Sequence, residues 1–222
     1  MTTPKDYKSS GVDIEVEEKS INALVSIIKG TLQFRKGKIG AAIGDIGSYS
    51  GFIEFGDYAL SLATDGVGSK VLVAQKLRKY DTVGIDVIAM NVNDVICNGA
   101  TPLAFVDYIA LEKTSKYMLN EIAKGLLEGA KQSDMPIVGG ETATLPDIIK
   151  GDGEGFDLAG TCLGVVKKEK IISGKDIAPG DVIIGIESSG IHSNGLTLAR
   201  KTLGESDYPE LLVPTRIYVK QI

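Results

Sequence analysis

The sequence reads as a mixed fold of strands and helices, and three observations predict it. Residues 58–63 alternate apolar and polar side chains as a strand does, and run into a glycine turn that opens an apolar helical segment, 71–77. Residues 83–97 are apolar nearly all round, as a buried helix is. Residues 103–111 form a second strand-like run, followed by an amphipathic helix over 117–131. With 222 residues and 43% hydrophobic content, the chain has material for one large domain, or one domain and part of another. A net charge of −5 with scattered basic residues argues against nucleic-acid polymers as partners. Cys97 and Cys162 lie far apart, so a disulfide framework or zinc site is not expected and a reducing cytoplasm fits. The first six residues carry no apolar signal core, and no apolar run approaches the roughly 18 residues of a membrane helix.

Residues 1–15 read as an extended polar arm, and 15–34 as a helix with Ile21, Leu24, Val25, Ile28 and Leu32 at helical spacing. Gly37, Gly40, Gly44, Gly47 and Gly51 then mark either a flap over phosphates or a mobile connector. Residues 52–55 and 58–64 flank Gly56-Asp57, a hairpin signal. The turn Thr64-Asp65-Gly66-Val67-Gly68-Ser69-Lys70 places a carboxylate, two glycines, a hydroxyl and an ammonium between strand and helix, where backbone N–H groups receive anions. Its spacing is not that of a Walker A loop. The plainer alternative is a glycine turn with a surface salt bridge.

Thr82 is placed to cap the helix over 83–97, which carries Asp86, Asn91, Asn93 and Asp94 in apolar surroundings. Asp86 and Asn93 fall within about 20° of one another on the helix wheel. Asp86 suits the first-turn dipole, whereas Asp94 near the C-terminus does not, which favours Asp94 as a metal ligand. On the helix over 117–131, Leu119, Ile122, Ala123, Leu126, Leu127 and Ala130 are expected inward. A short strand, 136–138, ends in Gly139-Gly140-Glu141-Thr142, repeating the grammar of the earlier turn and suggesting a shared polyphosphate–metal site. Residues 156–166 and 182–186 read as strands, 167–170 as solvated charge, and 196–203 as a helix. His192, the single histidine, sits in a glycine-bounded loop beside Ser193 and Asn194, a setting that favours function over a structural role. Residues 214–218 read as extended.

Taken together and in this order, these stretches resemble the phosphoribosylformylglycinamidine cyclo-ligase family, also known as AIR synthetase or PurM. The segments carrying the resemblance are Tyr7-Lys8 with Gly11-Val12-Asp13-Ile14, the turn Thr64 to Lys70, Asp81 to Asp86, Asn93-Asp94, and Asn98-Gly99-Ala100 with Pro102. Asp107-Tyr108, Val138 to Ala143, Asp157 to Gly160, His192-Ser193-Asn194-Gly195 and Pro214 to Tyr218 complete them. Selenophosphate synthetase, thiamine-monophosphate kinase and the hydrogenase maturation protein HypE share the acidic turns but lack the patterns at His192 and Pro214.

The resemblance implies an α/β fold of the α+β type. Its N-terminal ATP-binding and dimerisation domain, 1–167, would have a mixed four-stranded sheet pairing across a homodimer, with the beginning of a second domain over 168–222. It implies ATP-dependent closure of formylglycinamidine ribonucleotide to 5-aminoimidazole ribonucleotide in purine biosynthesis, with Mg²⁺, in the cytoplasm. Asp65, Asp94 and Glu141 are the implied metal ligands. Lys29, Gly66, Gly68, Ser69, Gly139, Gly140 and Thr142 are implied ATP or phosphate contacts, and His192, Lys70 and Asn194 implied catalytic residues. The glycine-rich stretch 36–51 departs from the family's usual wording. Family members continue for roughly another hundred residues, so the second domain is expected to be incomplete. Two rivals are another small-molecule ATP-dependent synthetase or kinase, needing Asp65 and Asp94 but not His192, and a truncated nucleotide-binding dimerisation module.

Overall fold

The computed structural model describes residues 6–11 and 13–222. The chain begins with α1 (Ile14–Ile28), continued by a 3₁₀ turn, and then β1 (Ala42–Ile43), β2 (Gly51–Phe55) and β3 (Tyr58–Gly66). Helices α2 (Val71–Leu77) and α3 (Val83–Cys97) follow, then β4 (Thr101–Leu111), α4 (Lys116–Ser133), β5 (Ile137–Thr144) and β6 (Phe156–Lys167). Two short helices, α5 (Leu196–Thr202) and α6 (Tyr208–Leu211), lie near the C-terminus. The sheet runs β1-β2-β3-β6-β4-β5. Only β4 and β5 are parallel, because α4 carries the chain back between them. The expected α/β class stands, with six strands where the resemblance implies four.

One face of the sheet is covered and the other is open. Ala59 and Ala63 of β3, Phe105 and Ile109 of β4, and Leu158, Cys162 and Val166 of β6 are buried beneath α3 and α4. On the opposite face Leu62, Val106 and Tyr108 are exposed. Helix α3 is buried along Val83, Val87, Ile88, Val92 and Val95 and packs on β3 and β6. Helix α4 crosses α3 at glycines. A Cβ on Gly84 would stand 2.3 Å from the Leu126 backbone nitrogen, and one on Gly125 would stand 2.3 Å from the Asp81 carbonyl oxygen. Ile122, Leu126 and Ala130 face inward as expected, but Ala123 and Leu127 are exposed, because Gly125 and Gly129 occupy the crossing line instead.

Several sequence expectations are corrected. Residues 6–11 are not an extended arm: Asp6 accepts from the Ser9 and Ser10 backbone N–H groups and winds them into turns, while residues 1–5 and Val12 lie outside the described residues. Helix α1 forms, capped by Asp13, but none of its stripe is buried among the described residues. Thr82 stands at the N-cap of α3, yet its hydroxyl makes no cap bond. Residues 182–186 are no strand: Ile183 is 96% exposed, and no strand lies alongside to take its backbone hydrogen bonds.

The glycine-rich stretch is tied down at its end by Asn98. Its amide oxygen accepts from Ser48 Oγ, Ser50 N and Ser50 Oγ, and its nitrogen donates to the Ile172 carbonyl at 3.0 Å. Asn98→Ala strips the buried Ser50 N–H of its acceptor, an expected cost of about 1–3 kcal/mol. Urea denaturation and amide exchange at Ser48 and Ser50 measure it. Unchanged protection there would show that the amide is not the tether.

Candidate functional site

The site collects where β3 ends, α3 passes beneath it and the C-terminal segment returns. Asp65 closes β3 and accepts from the Gly66 N–H through Oδ1 (2.7 Å), shaping the turn that follows. Asn91, on buried α3, donates to the Asp65 carbonyl (3.2 Å) and so ties strand to helix. One turn further on, half-buried Asp94 comes near the Asp65 carboxylate. Burial and that negative neighbour push the Asp94 carboxyl up to about 6. A half-buried carboxylate beside a second one is suited to share a cation with it.

Glu141 does not join them within one chain. Register pairs Asp65 with Gly160, Gly160 with Asp107, and Asp107 with Gly140, so these four share the covered face of the sheet. Glu141 pairs with Tyr108 and points to the open face. The expected turn at 139–142 is instead the middle of β5, because parallel pairing with β4 runs on to Thr144. Gly139, Gly140 and Thr142 are exposed strand residues, and three strand spacings put Gly140 about 14 Å from Asp65. Among the described residues no group of three or more His, Cys, Asp or Glu side chains is placed to hold a metal. Asp107, on the covered face, is raised by burial; the sequence named it among the segments carrying the resemblance but gave it no role.

Lys70 is corrected more strongly. Its side chain has zero exposure, and its ammonium donates to Asp86 Oδ1 (2.8 Å), the Val213 carbonyl (2.7 Å) and the His192 carbonyl (3.3 Å). All three N–H bonds are spent on protein, leaving none for a phosphate. Burial lowers the Lys70 ammonium from its ordinary value, and Asp86 pulls it back. Of the other turn residues, Gly68 is exposed with φ +63°, Gly66 is half-buried, and Ser69 Oγ lies 3.1 Å from Thr197 Oγ1 on α5. Lys29 is exposed and paired with Asp45 of the glycine-rich stretch at 2.7 Å.

The wheel position shared by Asp86 and Asn93 has a structural meaning. Both hold the C-terminal segment against α3. Asp86 accepts from Thr215 N and Thr215 Oγ1, each at 2.8 Å, while Asn93 donates to the Arg216 carbonyl and accepts from Tyr218 N. The segment 214–218 is therefore extended but bonded to a helix rather than to a sheet. His192 is half-buried at φ +61°, and its Nε2 accepts from Ser189 N (3.1 Å). Burial, Lys70 and Arg216 lower its imidazole while Asp86 opposes them. Asn194 beside it is exposed.

Comparison with known proteins gives this arrangement its relatives. Residues 47–166 match the family model "AIR synthase related protein, N-terminal domain", and residues 178–222 match "AIR synthase related protein, C-terminal domain". A protein of Thermococcus kodakarensis named phosphoribosylformylglycinamidine cyclo-ligase is 52% identical over 97% of this chain and 67% of its own length. One of the same name from Methanocaldococcus jannaschii is 54% identical over 97% of this chain and 63% of its own. The chain spans about two thirds of the length of these relatives. In fold it is similar to thiamine monophosphate kinase from Aquifex aeolicus, with a TM-score of 0.57 at 23% identity over 90% of this chain and 63% of that one. The chain belongs to the AIR synthase related protein family.

Proposed function

We propose that this chain carries the phosphoryl-transfer centre of a phosphoribosylformylglycinamidine cyclo-ligase. ATP phosphorylates the amide oxygen of formylglycinamidine ribonucleotide; the amidine-derived nitrogen attacks that carbon; phosphate leaves with the oxygen, and the imidazole ring closes to 5-aminoimidazole ribonucleotide. What supports this reading is Asp94 lying near the Asp65 carboxylate in a chain about half identical to relatives of that name. An amide oxygen leaves poorly and a phosphate leaves well, so the reaction needs a place for polyphosphate charge.

Asp65 and Asp94 fit Mg²⁺, which takes one or two carboxylates and completes its shell with phosphate and water. Bound there, Mg²⁺ would supply charge neutralisation for the polyphosphate. Lys29 is free to exchange Asp45 for phosphate, since its pairing is exposed. Lys70 serves the fold of the site. His192 is neutral near pH 7, and the bond that Ser189 makes to Nε2 assigns its proton to Nδ1. It therefore presents a hydrogen-bond donor to substrate oxygen, and Asn194 orients the amide beside it.

The same reading makes the protein a homodimer whose sheets meet on the open face, supported by exposed Leu62, Val106 and Tyr108. Glu141 stands on that face, so its part in the site comes through the dimer. The reading divides the domains at 167/168, which the end of β6 at Lys167 supports. A cytoplasmic location is supported by two free cysteines. Among the described residues, no helix is long and apolar enough to cross a membrane. The test is phosphate release from ATP with and without formylglycinamidine ribonucleotide, with imidazole product followed in parallel. Matched, substrate-dependent release is expected from the chain extended to its relatives' length. Release without imidazole would assign a different phosphoryl acceptor.

A further inference from the structure

A buried carboxylate on α3 gathers three distant parts of the chain at one oxygen. Asp86 Oδ1 receives Lys70 Nζ from the turn after β3, Ser193 Oγ from the histidine loop (3.1 Å), and both N–H and Oγ1 of Thr215 from the C-terminal segment. Ser193 Oγ and Thr215 Oγ1 also lie 2.9 Å apart. Asp86 Oδ2 is buried with no partner, so the charge depends on what gathers at Oδ1. Lys70 reaches on from this cluster to the His192 carbonyl. His192 holds a left-handed backbone, which a non-glycine residue adopts only when its surroundings require it.

We propose that Asp86 and Thr215 are positioning residues for His192. The buried cluster clamps Ser193 on one side and, through Lys70, the His192 carbonyl on the other, and so fixes the backbone that aims the imidazole. Neither residue touches the reacting atoms. This inference rests on the reading that His192 serves the reaction, and it explains why an ion pair is retained where an apolar pair would pack as well. The charged groups facing the imidazole are Lys70, Asp86 and Arg216, with the Tyr218 ring 6.3 Å away.

The single histidine makes the test clean, because the chain has one imidazole signal to follow. The His192 ring resonance is titrated in the folded chain, alongside the Ser189 amide that bonds to it. Thr215→Val changes no charge. It is expected to loosen the loop, raise the imidazole midpoint toward its ordinary value, and shift the Ser189 amide. Thr215→Ser, which keeps the hydroxyl, is expected to restore both. Asp86→Asn is expected to shift the Ser189 amide as well, and if it fails to fold the two Thr215 variants decide. Ser133→Ala, a buried hydroxyl on α4, controls for stability alone and is expected to move neither signal. A folded Thr215→Val chain with both signals unmoved overturns the proposal. The titration needs no turnover, so failure of the cyclo-ligase assay leaves it intact. In an active full-length enzyme, Thr215→Val is expected to lower kcat about tenfold with little change in the KM for ATP. An unchanged kcat beside a shifted imidazole would likewise overturn the positioning role.

Discussion

Asp94→Asn is expected to stabilise the folded chain near neutral pH and, under the proposed function, to remove Mg²⁺-dependent activity. The Asp94 carboxyl is raised from 3.8 to about 6 by burial first and by Asp65 second. Protonated Asp94 thus favours the folded state at low pH, and that contribution is lost as pH rises from about 4 through about 6. The full displacement corresponds to roughly 3 kcal/mol. Discounted for partial solvent screening, about 1 kcal/mol remains, or about 2–4 °C in Tm for a chain of this size. The gain is expected at pH 7.5 and absent at pH 3.5. Equal gains at both would show that ionisation is not the cause. Under the proposed function the same variant loses activity on the order of 10³-fold, because the polyphosphate is left without its counter-charge. It also loses any rise in Tm on adding Mg²⁺. A variant that kept its Mg²⁺-dependent turnover would remove Asp94 from the metal site. Higher stability with lower activity is the pattern of a site whose charge is costly to the fold.

Gly84→Ala is expected to be among the most destabilising single-methyl additions in the chain. In an isolated helix the change would favour α3 by about 1 kcal/mol. Here the new Cβ would stand 2.3 Å from the Leu126 nitrogen and 2.5 Å from the Ile122 carbonyl oxygen. Those are backbone atoms of α4 and cannot turn aside, so the helices must separate and open the packing around Ile88 and Ile122. An expected net cost of about 3–5 kcal/mol follows. Leu127→Ala, on the facing helix α4 but 71% exposed, is expected to change stability by no more than about 0.5 kcal/mol. Chemical denaturation of the two variants compares them directly. A stabilised Gly84→Ala would mean that helix propensity, rather than close approach, governs this crossing.

Such contacts mark the limit of what the sequence discloses. Periodicity places α2 and α3 at their observed ends, because an unbroken apolar helix and its bounding turns are local features. Asp94 stands out for the same reason: a carboxylate near the end of a buried helix has no local explanation. The wheel that brings Asp86 and Asn93 to one side is local too, but the occupant of that side is not. Thr215, Arg216 and Tyr218 lie more than a hundred residues away.

Lys70 and Glu141 show how residue type misleads without tertiary partners. A lysine after a glycine turn reads as a phosphate ligand until Asp86 and two carbonyls are seen to accept its hydrogen bonds. A glutamate after two glycines reads as part of a turn until β5 is seen to continue beside β4 and send it to the other face of the sheet. The sequence alone pointed to the family and to most strands and helices of the sheet, and it singled out Asp65 and Asp94 as candidates. Tertiary structure decided which charges are free to meet a ligand, because strand register and buried partners are set by chain segments distant from the motif they complete.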